Sequence, residues 1–195
     1  MQKIGFVGVY DKTDLLLCIA KVLTLAGKKV CILDVTTTQK CKYVVPVINP
    51  TKSYITEFDG IDVAIGFENI EELRQYLGLE NEENIDYDIM LIDTDDVNSF
   101  TQFDLRSSDK LYYTTSFDAY SLKKGIRLLR ELNIPLKMTR IYYSKEMLDE
   151  EEQYFNYLTL GLRVIWNEEK VCFFLENGDQ ASLIENQRLQ KIKFK

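Results

Sequence analysis

The sequence predicts an α/β fold in which helices flank a mainly parallel sheet. Short apolar runs, typical of buried strands, alternate along the chain with longer segments whose apolar residues recur at helical spacing. Such alternation indicates βαβ units, in which successive strands run parallel. The chain has 195 residues, of which 46% are hydrophobic and three are proline. This composition is typical of a globular protein, and we expect a single domain over residues 1–195.

The N-terminal segment contains the clearest βαβ unit. Lys3–Val9 is a short apolar run that predicts a buried strand. The apolar residues of Thr13–Ala26 recur at helical spacing, and Gly27 directly after them is a typical helix end. Val30–Leu33 predicts the second strand, which Asp34 ends. We therefore expect these two strands to lie parallel in one sheet.

Residues 43–66 predict a different arrangement. Three short pieces of this segment have strand-like composition: Tyr43–Ile48, Tyr54–Phe58 and Ile61–Ile65. The dipeptide Asp59–Gly60 between the last two is a strong hairpin signal. We therefore expect an antiparallel excursion from the parallel sheet, with a β-hairpin around residues 53–66.

The rest of the chain continues the alternation. The predicted strands are Ile89–Ile92, Lys110–Thr114, Leu136–Tyr143 and Val171–Leu175, and the predicted helices are Asn69–Leu77, Tyr120–Leu132, Glu146–Leu160 and Gln180–Gln190, the last as a helix or an irregular tail. Two tyrosine pairs, Tyr112–Tyr113 and Tyr142–Tyr143, lie in these strands. Because side chains alternate across a strand, we expect one member of each pair to be buried and the other exposed.

Charge and hydropathy limit the partners and the location. The formal net charge is −7, so binding to nucleic acid is not expected, although a local basic patch is compatible with it. Apolar runs such as Leu15–Ala20 are far shorter than the roughly 20 residues that span a bilayer, and no signal-peptide pattern precedes the first strand. We expect a cytoplasmic protein. The basic segment Arg188–Lys195 is expected to be a frayed or strand-like tail, with membrane contact as the less favoured alternative.

Reactive side chains are few. Histidine is absent, which removes the commonest general base and any histidine metal ligand. The four cysteines have no C-x-x-C spacing and mostly lie in apolar runs, so we expect reduced core residues: Cys18, Cys31, Cys41 and Cys172. Any hydrolytic chemistry must therefore use carboxylates, lysine, hydroxyls or a bound metal.

Polar residues collect where three predicted strands end. Gly8–Thr13 follows the first strand, Asp34 the second and Asp93 the third. In parallel sheets, ligands bind beyond these carboxyl ends. A phosphate site requires glycines for close backbone approach, a lysine to neutralise charge, a hydroxyl for Mg²⁺ and a nearby carboxylate. Lys12 and Thr13 have the residue types that such a site requires.

Over nearly its whole length the chain resembles the deviant-Walker P-loop ATPases that include ParA, MinD and TadZ. Tyr87–Asp96 is similar to the family's Walker B segment, in which hydrophobic residues precede D-T-P-P, with Asp93 at the metal-binding carboxylate. Leu111–Thr115, Asp118–Leu122 and Leu128–Pro135 resemble the passages that follow. The resemblance implies a Rossmann-like P-loop NTPase sheet, ATP or ADP with Mg²⁺ as ligands, a homodimer and protein partners.

The resemblance also places the candidate site residues. It implies a residual nucleotide site formed by Gly8, Asp11, Lys12, Thr13 and Asp34, with Mg²⁺ held through Thr13 and Asp93. A structural role competes with each assignment. In isolation Lys12 is a solvated lysine and Thr13 a helix cap, and a strand-end Asp more commonly accepts hydrogen bonds from loop N–H groups.

Aligned through Lys12, the loop departs from the family pattern K-G-G-x-G-K-T-T. Val7 stands at the signature lysine, Val9 at the second glycine and Asp11 at the glycine before Lys12. Val9 restricts the backbone, and the Asp11 carboxylate repels a polyanion. Thr36 stands where the family often has a second carboxylate that helps to position water. We therefore expect an impaired ATPase without catalytic residues, which binds partners to position or regulate a secretion, pilus or partition assembly.

Two other interpretations stay open. The chain is an active, divergent Mg-ATPase if Asp11 or Asp95 has taken over the positioning of metal or water. It is a receiver-like interaction module if Asp34 and Asp93 form a pocket similar to a phospho-acceptor site. Asp95 and Asp96 replace small or proline residues of the family pattern, and we expect them to form a solvated turn.

Overall fold

The computed structural model describes residues 1–47, 51–80, 83–145 and 148–174. The strands are β1 (Gln2–Val7), β2 (Val30–Asp34), β3 (Tyr54–Phe58), β4 (Ile61–Ile65), β5 (Ile89–Thr94), β6 (Lys110–Thr115), β7 (Leu136–Tyr143) and β8 (Val164–Phe173). The α-helices are α1 (Thr13–Leu25), α2 (Ile70–Tyr76), α3 (Val97–Gln102), α4 (Ala119–Leu132) and α5 (Asp149–Leu158), and short 3₁₀ turns cover Lys40–Tyr43 and Leu105–Ser107.

The eight strands form one sheet in the order β3-β4-β2-β5-β1-β6-β7-β8. All neighbours are parallel except β3 and β4, which form the antiparallel hairpin predicted around residues 53–66. The predicted α/β fold with a mainly parallel sheet is confirmed. In a receiver-like sheet the first strand lies beside the second. Here β5 lies between them, so the order contradicts the receiver-like interpretation.

Helices cover the two faces of the sheet unequally. On one face, α1 buries Leu15, Leu16 and Ile19 against the first core cluster. On the other face, α2, α3, α4 and α5 pack on a second cluster, to which α4 contributes Leu122 and α5 contributes Phe155. Strands covered on both faces are apolar along their whole length, which is why the short apolar runs predicted them.

Side-chain caps and a left-handed residue fix the ends of several helices. The Asn69 side chain accepts a hydrogen bond from the Glu72 amide at the start of α2, and Asp118 accepts one from the Ser121 amide at the start of α4. Asn133 ends α4 in the left-handed conformation, with φ of 42°. These contacts satisfy backbone groups that a helix end leaves without partners. No helix in the described part of the chain is long and apolar enough to cross a bilayer.

The predicted strand at Tyr43–Ile48 is wrong. Lys40–Tyr43 forms a 3₁₀ turn, residues 44–47 form no strand, and Ile48 lies outside the described residues. The physical reason is a hydrogen bond of 3.0 Å from the Cys41 amide to Asp34 Oδ2, which folds the segment back onto β2. Val45 is buried against the α1 side of the core, so the apolar run serves packing without pairing.

The last strand is longer than predicted, and one short helix was not predicted. The last strand begins at Val164 and not at Val171. An edge strand tolerates polar residues, and the polar run Asn167–Lys170 interrupts the apolar pattern from which the strand was predicted. The short helix α3 follows β5 without having been predicted. Leu175, Glu146 and the predicted segment Gln180–Gln190 lie outside the described residues.

Two expectations on individual side chains are also wrong. Tyr112 and Tyr113 are both buried, because helices or loops cover both faces of the central strand β6. Tyr142 is buried and Tyr143 is half-buried, so the second pair alternates only partly. Cys18, Cys31 and Cys41 are buried free thiols as expected, but Cys172 is exposed on the edge strand β8.

Close packing between α4 and β6 requires glycine at position 125. A Cβ atom on Gly125 would lie 2.2 Å from the Tyr113 hydroxyl oxygen and 3.3 Å from its Cζ atom. Tyr113 is fully buried, so its ring cannot move aside without disturbing the core. The absence of a side chain on Gly125 therefore sets how closely α4 approaches the sheet.

Replacing Gly125 by alanine is expected to lower the free energy of unfolding by at least about 1 kcal/mol, because it overpacks the core. The sign is opposite to the gain of roughly 1 kcal/mol that the same change brings at an open helix position. Urea unfolding measures the change. In the Tyr113→Phe background the cost of Gly125→Ala is expected to shrink, and strictly additive costs would contradict the proposed contact.

Candidate functional site

The polar strand ends predicted from the sequence meet at one edge of the sheet. β1, β2 and β5 are neighbours, and Asp34 pairs in register with Asp93. A cavity of about 180 Å³ opens at this edge. Its lining includes Asp11, Lys12, Thr13, Lys40, Asp93 and Lys124. Asp11, Lys12, Thr13 and Asp93 belong to the predicted site, whereas the predicted residues Gly8 and Asp34 are not among the lining residues.

Gly8 begins the loop between β1 and α1 in a conformation that only glycine adopts readily. Its φ is +150°, and a Cβ atom there would lie 2.2 Å from the Thr114 carbonyl oxygen. The Gly8 amide donates a hydrogen bond of 3.1 Å to the Thr94 carbonyl. The loop is thus held against both neighbouring strands, β5 and β6.

Lys12 points into the loop and not into solvent. Its residue surface is 1% exposed, and its Nζ atom lies 2.8 Å from Asp93 Oδ1. The same ammonium donates hydrogen bonds to the carbonyl oxygens of Gly8 and Tyr10. An ammonium has three donors, so these two hydrogen bonds use two of them, and the ion pair with Asp93 engages its charge. The charge of Lys12 is therefore balanced by Asp93 and by two carbonyl groups of its own loop.

Asp93 is the buried partner of this ion pair. The contact is one of charge, since Oδ1 lacks an aligned hydrogen-bond partner in the described part of the chain. Burial raises the pKa of Asp93 to about 7, Lys12 opposes part of that rise, and the nearby Asp34 adds to it. The carboxyl group therefore titrates near neutral pH.

Asp11 occupies the N-terminal end of α1. Its Oδ1 atom accepts a hydrogen bond of 3.0 Å from the Thr13 amide, and Oδ2 lies 3.0 Å from Lys40 Nζ. Burial alone would raise the pKa of Asp11, but the hydrogen bonds from Thr13 and Lys40 outweigh it and lower the pKa. The amide at a helix start is where an anion binds in phosphate loops, and here a side-chain carboxylate takes that position.

The remaining strand-end acids serve the loops around the site. Asp34 accepts hydrogen bonds from the amide and hydroxyl of Thr36 and from the Cys41 amide, at 3.1, 2.6 and 3.0 Å. Asp95 accepts from the amide and hydroxyl of Thr37, and Asp96 caps α3. Asp34 therefore behaves as the structural alternative predicted, and Asp95 and Asp96 do not form a dyad.

Sequence reasoning missed three residues of the site. Lys40 reaches Asp11 from the loop after β2, and no local pattern announces that contact. Tyr120 and Lys124 line the cavity from the start of α4, and the Lys124 ammonium lies over the Tyr120 ring. Their position after the strand end of β6 was the one available signal.

Known structures share this architecture. A plasmid partition protein from Borrelia burgdorferi matches with a TM-score of 0.56 and 18% identity, over 98% of this chain and 99% of that chain. A ParA family ATPase from Chlorobium tepidum TLS matches with a TM-score of 0.58 and 12% identity, over 94% and 89%. The MinC:MinD cell division complex of Aquifex aeolicus matches with 0.52 and 12%, over 94% and 85%.

The fold is that of the ParA/MinD ATPases. These identities show the fold alone, as the resemblance in the sequence predicted it. No protein-family model matches the sequence, and no curated protein matches it either. Gly8–Thr13 follows β1, which lies next to β5 in the sheet. The sequence resemblance to the ParA/MinD family aligned this same segment with the family's phosphate loop.

Within the ParA/MinD fold, the observed site does not fit Mg²⁺ or a triphosphate. Mg²⁺ takes oxygen ligands in octahedral geometry, whereas Asp93 Oδ1 carries the Lys12 ammonium. The cavity of about 180 Å³ is smaller than the roughly 300 Å³ at which ligand pockets usually begin. Among the described residues, no group of three or more acidic or cysteine side chains is arranged to hold a metal ion.

The raised pKa of Asp93 predicts a distinct pH dependence of stability. Between its unfolded value of about 4 and its folded value of about 7, the native state binds more protons than the unfolded state. The contribution of Asp93 to the free energy of unfolding is therefore present at pH 4 and lost as the pH rises through 7. Urea unfolding of wild type and Asp93→Asn between pH 4.5 and pH 8 measures it by subtraction.

Asp118 supplies a control of opposite sign. Hydrogen bonds from Ser116 and Ser121 lower its pKa to about 2, so its contribution is present above pH 4 and lost as the pH falls toward 2. Asp118→Asn is expected to leave the slope between pH 5 and pH 8 unchanged. Parallel curves for wild type and Asp93→Asn in that interval would contradict a neutral pKa for Asp93.

Proposed function

We propose that this chain is a cytoplasmic ParA/MinD-type protein without nucleotide turnover, which acts as a homodimer and binds partner proteins to position or regulate a larger assembly. The observation that carries the proposal is a phosphate loop filled by the chain's own charged groups. Lys12 pairs with Asp93, and the Asp11 side chain accepts a hydrogen bond from the Thr13 amide at the start of the helix that follows the loop. A phosphate loop that is closed in this way, on a scaffold that is otherwise retained, favours the binding of partner proteins over the hydrolysis of a nucleotide.

Hydrolysis in this fold would need groups that the sequence replaces. Val7 is fully buried in the core, so it cannot supply the cation expected from a signature lysine. Thr36 donates its hydroxyl to Asp34, and it offers no carboxylate for orienting water. Asp11 adds a negative charge where a triphosphate would lie. Each replacement removes a separate requirement of the reaction.

Nucleotide binding would also have to overcome two internal contacts. Withdrawing Lys12 leaves Asp93 buried without its cation, and breaking a buried pair of this kind costs about 3–5 kcal/mol where the carboxylate stays ionised. A phosphate charge placed ~4 Å from Asp11 adds about 4 kcal/mol of repulsion at an effective dielectric near 20. Because each 1.4 kcal/mol or so is a tenfold change in affinity, these costs favour a dissociation constant for ATP above about 1 mM.

The similar structures support a role in positioning. They include a plasmid partition protein and the MinC:MinD cell division complex, which contains two different proteins. Assemblies of the secretion, pilus or partition type are therefore the class that we propose. The overall acidic charge of −7 favours protein partners over nucleic acid.

Titration of the full chain with ATP and Mg²⁺ is expected to give no binding tighter than about 1 mM, for the reasons of charge and closure given above. A steady-state phosphate-release assay is expected to give no turnover above a blank without protein. The Lys12→Ala variant is the control. Robust turnover that Lys12→Ala abolishes would overturn the proposal in favour of a divergent ATPase.

Removing the Asp11 charge is expected to strengthen ATP binding at least about tenfold, because the carboxylate repels the polyanion. Asp11→Asn keeps an acceptor for the Thr13 amide, and Asp11→Gly restores the residue type of the family pattern. Isothermal titration compares both with Asp14→Asn, which removes the same charge from the first turn of α1 outside the cavity lining. An unchanged affinity in both Asp11 variants would show that this charge does not close the site.

A further inference from the structure

Two helices of this chain have opposite charge. α4 carries four basic residues and one acid, whereas α5 begins with four consecutive acids. Among the described α-helices, α4 is the only one with a net positive charge. The chain as a whole has a net charge of −7, so the net positive charge of α4 is opposite to that of the rest of the protein.

Helix stability explains only part of this pattern. The macrodipole favours Arg130 in the last turn of α4 and the acids in the first turn of α5. It gives no reason for Lys123 and Lys124 in the second turn of α4, where its effect has faded. In the described part of the chain, Lys123 and Arg130 have no carboxylate partner, and Arg127 pairs with Glu131 of the same helix.

The topology places the two helices side by side. α4 connects β6 to β7 and α5 connects β7 to β8, and these strands are parallel neighbours. Right-handed connections of this kind put both helices on one face of the sheet, running in the same direction. Leu122 of α4 and Phe155 of α5 accordingly belong to the same core cluster.

The exposed residues of the two helices match in spacing. On α4, Lys123, Arg127 and Arg130 follow each other at intervals of four and three residues. On α5, Glu150, Tyr154 and Tyr157 follow the same intervals. Residues so spaced lie on one helix face. The Arg127 side chain is 79% exposed, and Tyr154 and Tyr157 are 54% and 72% exposed.

We propose that a second copy of this chain docks on the α4–α5 face. A two-fold axis parallel to the helices lays α4 of each copy over α5 of the other, in the same direction. Lys123 then faces the partner's Glu150, while Arg127 and Arg130 lie over the rings of the partner's Tyr154 and the partner's Tyr157. Guanidinium groups over aromatic rings and paired charges are both favourable at interfaces. The contact occurs twice because the interface is isologous.

The neighbouring charges favour a second copy over other occupants. A nucleic acid or an anionic membrane that approached the basic face of α4 would also meet Asp149 and Glu150 on the adjacent helix. The α4–α5 face has a basic row on α4 beside an acidic and aromatic row on α5. A two-fold rotation places the basic row of one copy opposite the acidic and aromatic row of the other, so the face is complementary to itself. Lys124 borders the cavity beside the phosphate loop, whereas Lys123, Arg127 and Arg130 are not among its lining residues. The inference rests on the homodimer of the proposed function and specifies its interface, so a dimer that survives both charge reversals overturns the inference alone.

Sedimentation velocity of the full chain, without nucleotide, tests the inference. Wild type is expected to show a concentration-dependent dimer that weakens as salt is raised. Lys123→Glu/Arg130→Glu makes α4 acidic, and Asp149→Lys/Glu150→Lys makes the start of α5 basic. Each variant alone is expected to raise the dimer dissociation constant at least about thirtyfold, since like charges then face each other. An equimolar mixture is expected to form a heterodimer within about threefold of the wild-type affinity.

Matched variants control for charge and for folding. Lys28→Glu/Lys29→Glu reverses an exposed lysine pair between α1 and β2, and it is expected to leave the dimer unchanged. Tyr157→Ala is expected to weaken the dimer, whereas Tyr43→Ala, at a side chain 78% exposed elsewhere, is not. Circular dichroism checks that each variant is folded. A monomeric wild type, a dimer that survives both charge reversals, or a mixture that stays monomeric would each overturn the inference.

Discussion

The buried ion pair between Lys12 and Asp93 is the contact on which the rest of the site depends. Lys12 leads into α1 and Asp93 lies at the end of β5, so the pair fastens the loop after β1 to the neighbouring strand. Burying two charges is costly unless further hydrogen bonds accompany the pairing. The carbonyl groups of Gly8 and Tyr10 provide them. The loop is stable because its lysine is turned inward, and the same contact removes that lysine from any ligand.

The surrounding carboxylates follow the same principle. Asp11, Asp34 and Asp95 each accept hydrogen bonds from a backbone amide and from a side chain. Residue types that suit a metal or phosphate site are thus used to order loops that converge on one edge of the sheet. Strand-end aspartates are equally suited to both tasks, since an ionised carboxylate is a strong acceptor for N–H groups.

Local patterns were sufficient to predict the fold class, because apolar alternation, helical spacing and the Asp59–Gly60 turn depend on neighbouring residues. They failed at Tyr43–Ile48, where a hydrogen bond from Cys41 to Asp34 overrides an apolar run. The residue types of the site could also be predicted from the sequence. The ion pairs and hydrogen bonds between them could not, because these depend on strand register and on Lys40, which is 29 residues away from Asp11 in the sequence. Contacts of that separation leave no local signal.

The central position of β1 has a consequence for how the chain acquires its structure. Its two sheet neighbours, β5 and β6, begin at residues 89 and 110, so β1 is completed only by strands that are made much later. During synthesis, Phe6 and Val7 therefore wait without their final partners while more than half of the chain emerges. Pairings of such long sequence separation slow folding and leave apolar strands open to aggregation or to chaperones. The loop that follows β1 lies against Thr94 of β5 and Thr114 of β6, so it reaches its final geometry only when both strands are in place.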